Sequence, residues 1–226
     1  MLMWKPQNLI REYQKQGSQA IHSEMWGVSH FDHLLAYTSR FRRPSDMVAD
    51  AKNTRITSLW LTSYLAHWGM FRGSSELKRT NILFFDHLSR SLLNERTGAL
   101  KPFFHVGLES LHEQEQGVIK QVLCSVSQIL RDSGVSPTPT LVSKLILGCT
   151  NTVPGYDRYV CLGLKLLKQR NKHDVSAGLS ERGLRSLSLW YADQKWPTIY
   201  CVAYPRVPIP AARMADMALS VYGAAG

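Results

Sequence analysis

No apolar run in this 226-residue chain approaches the roughly 20 residues that a membrane-spanning helix needs. The opening MLMWKPQNLIREYQ lacks the apolar core of a secretory signal, so a cytoplasmic protein with no membrane partner is expected. Cysteine is sparse: Cys124, Cys149, Cys161 and Cys201 form no CxxC pair, which argues against a disulfide framework or a structural zinc. There is no Walker loop, no GxGxxG after a strand, no GxSxG elbow and no HExxH. The HxE…PCxxC pattern of the zinc deaminases is missing as well. No cofactor is therefore expected, and no nucleotide cofactor in particular. His30, Asp32 and His33 lie together, but i,i+3 histidines without a third spaced ligand do not make a metal site.

Acidic residues are also in short supply. Lys and Arg outnumber Asp and Glu by 27 to 17, leaving a net charge of +10. The excess is uneven: Lys144, Arg158, Lys165, Lys168, Arg170 and Lys172 face a single nearby acid, Asp157. Such a stretch suits a phosphate backbone, because each neutralised phosphate releases condensed counterions. It also suits an ordinary basic surface helix.

What is abundant is helical periodicity. Apolar residues recur at helical spacing over 7–16, from Ser29, around Ile56–Leu65, over Ile82–Leu93 with Ser74 or Ser75 as a cap, and after His105 through Leu130. GVSPTPT (134–140) breaks the pattern. Helices then follow near 141–148, ending at Gly148, over 156–169, from Ser180 and around Met214–Leu219. Only TIYCVAY (198–204) looks strand-like. The expectation is an all-α, compact, two-lobed bundle of about nine helices in a single domain, with possible lobes 1–133 and 134–226.

The stretch TLVSKLILGCTNTVPGYD (140–157) holds two charges in unusual places. Lys144 lies about 100° around the helix from Leu145, at the margin of an apolar face. There it either snorkels to water or enters a pocket where desolvation frees the amine as a nucleophile or base. Asp157 follows Val153-Pro154-Gly155-Tyr156, either as an N-cap or as a carboxylate kept ionised by the helix terminus. A second segment, YLAHWGMFRGSS (64–75), gathers Trp68, Phe71, Arg72 and Ser74 between two helices. It reads as a tight turn with core aromatics, or as a wall that grips a phosphate or a base. Trp26 reads as a core residue or as a platform for stacking.

A lysine on a helix, followed by a Val-Pro turn and an aspartate that opens the next helix, resembles the catalytic segment of the helix-hairpin-helix DNA glycosylases. The resemblance covers the segment near 140–169. It implies that Asp157 is the essential carboxylate and Lys144 the candidate amine. On the glycosylase reading, Tyr156, Trp68, Trp26 and Phe71 would shape the base pocket. Arg72, Ser74, Arg158, Lys165, Lys168, Arg170 and Lys172 would hold the DNA backbone. The partner would be duplex DNA with a flipped base, bound by a monomer, and the target a damaged base or a modified base of phage DNA, such as sugar-decorated hydroxymethylcytosine. The alternatives are a non-enzymatic helical nucleic-acid-binding regulator, or a nuclease or toxin.

Overall fold

The computed structural model describes residues 5, 7–12, 29–73, 75–171, 174–201, 204 and 206–225. Trp26, Ser74 and Lys172 lie outside them, as does the side chain of Arg170. Nine α-helices appear among the described residues. They are α1 (7–12), α2 (Ser29–Thr38), α3 (Ala51–His67), α4 (Ile82–Leu93), α5 (Val118–Asp132), α6 (Pro139–Thr150), α7 (Arg158–Asn171), α8 (Glu181–Ala192) and α9 (Ala211–Ala224). Short 3-10 turns at Pro44–Val48, Glu76–Arg79, Lys101–Phe103 and Leu108–Glu113 connect them. No strand occurs among the described residues. TIYCVAY forms only an isolated bridge, Tyr200 to Pro208. None of the described helices is long and apolar enough to cross a membrane.

Side-chain caps set most of the helix starts by satisfying orphan amides of the first turn. The Asp50 carboxylate accepts from the Asn53 amide, Thr138 from Leu141 and Ser180 from Gly183. Asn81, not Ser74 or Ser75, caps α4 by accepting from the Leu83 and Phe84 amides. Ser75 caps the 3-10 turn at Glu76–Arg79 instead. Between Leu108 and Leu130 the chain is not one helix. Gly117 sits at φ 91°, left-handed, and α5 starts after it.

One hydrophobic cluster runs from Leu9 to Tyr222, spanning both sides of the 134–138 loop. Most helices contribute a single face; α5, for example, buries Ile119, Val122, Val126 and Leu130. Two helices differ. In α6 every residue from Leu141 to Cys149 is buried, and in α9 every residue from Ala212 to Leu219 is. Gly148 does not end α6: Asn151 does, at φ 57°. Gly148 is interior, and a Cβ there would stand 2.9 Å from the Tyr64 ring.

Helix α9 lies tightly on α7. A Cβ on Gly163 would overlap the Leu219 carbonyl, and one on Gly223 would overlap the Tyr159 carbonyl. Both obstacles are backbone, so neither yields by a rotamer change. Gly223→Ala is therefore expected to force the two helices apart and to cost about 1–3 kcal/mol of stability in urea unfolding. A wild-type midpoint in that variant would show that the helices separate freely.

Candidate active site

The two helices buried on all sides carry only three charged residues, Lys144 on α6 and Arg213 and Asp216 on α9. A buried charge is tolerated when paired. The packing brings all three together and adds Asp157 from the start of α7.

Lys144 is 0% exposed. Of its two readings, snorkelling to water does not hold, because α6 has no wet side at that level. Its Nζ lies 3.1 Å from Asp157 Oδ2, 3.4 Å from Asp216 Oδ1 and 3.3 Å from the centroid of the Trp68 ring. Two carboxylates and a π face thus replace the solvation shell of the ammonium. The Gly155 backbone passes directly over this side chain, and a Cβ there would overlap the amine.

Asp157 is both a cap and an ion-pair partner. Its Oδ1 accepts from the Tyr159 and Val160 amides at 3.0 Å each, and its Oδ2 meets Lys144. The helix terminus favours the carboxylate's negative charge. With its side chain 20% exposed, it is the one of these four charged residues that touches solvent. Helix α6 holds the turn that delivers it. The Tyr156 amide donates to Ser143 Oγ at 2.7 Å, and Thr140 Oγ1 donates to the Tyr156 carbonyl at 2.9 Å. Thr140, Ser143 and Lys144 are spaced i, i+3, i+4, so they share one face of α6.

From the other side, Asp216 closes the arrangement. Its Oδ1 accepts from the Gly155 amide at 2.9 Å as well as facing Lys144, and its Oδ2 pairs with Arg213 Nη1. The Arg213 guanidinium lies over the Phe31 ring, 4.6 Å from its centroid, and within 5.4 Å of the Trp68 centroid. Tyr64 borders the group from α3. Burial first, and then the Asp216 charge, pushes its hydroxyl well above the ordinary tyrosine range, so it stays neutral.

The other expected site residues are divided. Trp68 belongs to the cluster. Tyr156 is buried in the core, so its ring does not form an open pocket wall; burial pushes its hydroxyl upward. Phe71 packs on Phe85 at 5.9 Å. Arg72 is exposed and lines a cavity of about 370 Å³ with Ser75, Glu76, Ser136 and Thr138, a lining that includes neither Lys144 nor Asp157. Arg158, Lys165 and Lys168 are exposed on α7, and Lys168 pairs with Asp174 at 3.6 Å. His33 is engaged by Tyr204, 2.6 Å from its Nδ1, and stacks on Trp60.

Sequence reasoning missed Arg213, Asp216, Ser143 and Thr140. The signal for the first two was available: RMADMA places an arginine and an aspartate at i,i+3 among apolar residues, the same oddity that singles out Lys144. Comparison with family models, with curated proteins and with solved structures finds no match to this chain.

Proposed function

We propose that this chain is a DNA glycosylase that hydrolyses the N-glycosidic bond of a base flipped out of duplex DNA. The observation that carries the reading is Asp157: a partly exposed carboxylate, fixed by two backbone amides and a buried ammonium, at the head of a basic helix. Breaking the bond between C1′ and the base nitrogen leaves positive charge on the sugar, and a preorganised carboxylate stabilises that charge. Water then adds its hydroxyl to C1′, and its proton goes to the departing base. The products are a free base and an abasic site. Exposed Arg158 and Lys165, beside Asp157 and two turns beyond it, suit the flanking phosphates. Extrusion of the nucleotide is required, because a duplex hides the glycosidic bond. The resemblance to helix-hairpin-helix glycosylases points to damaged bases or modified phage bases as targets.

In this reading water, not Lys144, is the nucleophile. The amine is enclosed by Trp68 and two carboxylates, and its role is to hold Asp157 aimed. The buried ion pairs of this cluster also favour a second reading, in which they pin the fold of a non-enzymatic DNA-binding regulator.

The test incubates the protein with varied natural DNAs, including heavily modified phage DNA. Released bases are read by mass and abasic sites by an aldehyde probe. Release of a base with a matching abasic site, without a covalent adduct after borohydride reduction, is the expected result. Salt-sensitive binding with no base released from any DNA would leave the regulator. A reduced adduct at Lys144 would make the amine the nucleophile.

A further inference from the structure

We infer that Asp216, held by Arg213, is a positioning residue for Asp157: it clamps the turn leading into Asp157 and shares Lys144 with it. For its activity arm this rests on the glycosylase reading; for its charge arm it does not.

A single carboxylate oxygen of Asp216 reaches two groups that fix Asp157. One is the Gly155 amide at 2.9 Å, two residues ahead of Asp157 in the chain. The other is Lys144 Nζ at 3.4 Å, which is also the ion-pair partner of Asp157. The remaining oxygen of Asp216 is taken by Arg213, which comes from one turn earlier on the same helix. Asp216 thus acts from 59 positions away on both the backbone path and the counter-charge of the exposed carboxylate.

The shared charge makes the coupling specific. The groups facing Lys144 are Asp157 from the head of α7, Asp216 from α9, and Trp68 from the end of α3; Arg213 pairs with Asp216, and neutral Tyr64 senses that pair from α3. Removing the charge of Asp216 takes one of the two anions from Lys144. Burial then favours the uncharged amine of Lys144, and Asp157 loses its counter-charge. Removing Arg213 as well takes away the cation that Asp216 offset. A pin that only held helices together would lower stability without displacing the ionisation of Lys144.

The experiment compares wild type, Asp216→Asn, Asp216→Asn/Arg213→Gln and Asp216→Glu. Folding is followed by circular dichroism, kcat and KM for base release are measured across pH, and Lys144 is titrated through its side-chain NMR signal without DNA. Asp216→Asn is expected to lower kcat about 10²-fold with KM unchanged. Its alkaline limb of activity and its Lys144 titration should both move to lower pH. The double variant should return both toward wild type. Asp216→Glu keeps the charge but misplaces the oxygen over Gly155, so kcat should fall with the pH profile unmoved.

A folded Asp216→Asn protein with the wild-type Lys144 titration would overturn the inference, as would an Asp216→Glu protein with wild-type kcat. If Asp216→Asn does not fold, the Asp216→Glu result decides the clamp. Wild-type protein that releases no base sinks the glycosylase reading, and the Lys144 titration in the variants still decides the shared charge.

Discussion

Asp157→Asn is expected to cut abasic-site formation by about 10²–10³-fold while leaving salt-sensitive DNA binding intact. Asparagine has the shape of aspartate and is an equally good helix cap, so the Tyr159 and Val160 amides keep their acceptor. Lys144 keeps Asp216 as a partner, and the altered side chain stands at the partly exposed edge of the cluster, where water makes up for the lost charge, so the fold survives. What disappears is the negative charge that the proposed glycosylase reading sets beside the developing sugar cation. Binding depends on other groups: Arg158, Lys165 and Lys168 remain exposed, and the slope of log affinity against log salt should match the wild type. Abasic sites counted by an aldehyde probe, and DNA binding by anisotropy over a salt series, check both halves. A variant with the wild-type rate would reduce Asp157 to a cap. Parallel loss of binding and rate would mean a damaged fold and not a missing charge.

Lys144→Met is expected to lower stability by about 3–5 kcal/mol, because it removes one partner from a buried charge group. Methionine nearly matches the lysine stem in length and flexibility, so the cavity contribution is small. The loss comes from Asp157 and Asp216, which would share one cation, Arg213, in place of two. Urea midpoints for variant and wild type measure this; a deficit under about 1 kcal/mol would show that the amine is not the needed counter-charge.

Much of the helical framework is legible without coordinates. Asp50 before α3, Thr138 with Pro139 before α6 and Ser180 before α8 each carry a local start signal, and the structure uses all three. Gly148 misleads, since a glycine in an apolar helix reads as a stop. Its missing side chain makes room for Tyr64, more than 80 residues earlier. Lys144 misleads for a related reason. A helical wheel assigns it to a margin only if one side of the helix meets water, and α6 is surrounded.

Asp157 is the opposite case. Its place after the Val-Pro turn and before a basic helix is visible in thirty residues; the cap reading holds, and the structure adds an ion pair with Lys144 that the sequence did not foretell. Local patterns thus dictate an all-α chain, the start of α7 and the presence of a carboxylate there. They also dictate that three charges occupy two otherwise apolar helices. Which of these charges meet is settled by packing: α7 approaches α9 across Gly163 and Gly223, and Asp216 reaches Lys144 across 72 residues of sequence. Periodicity and capping are properties of neighbours along the chain. Pairing of buried charge is a property of whatever surrounds them in space, and a low-dielectric interior makes that pairing obligatory without naming the partner.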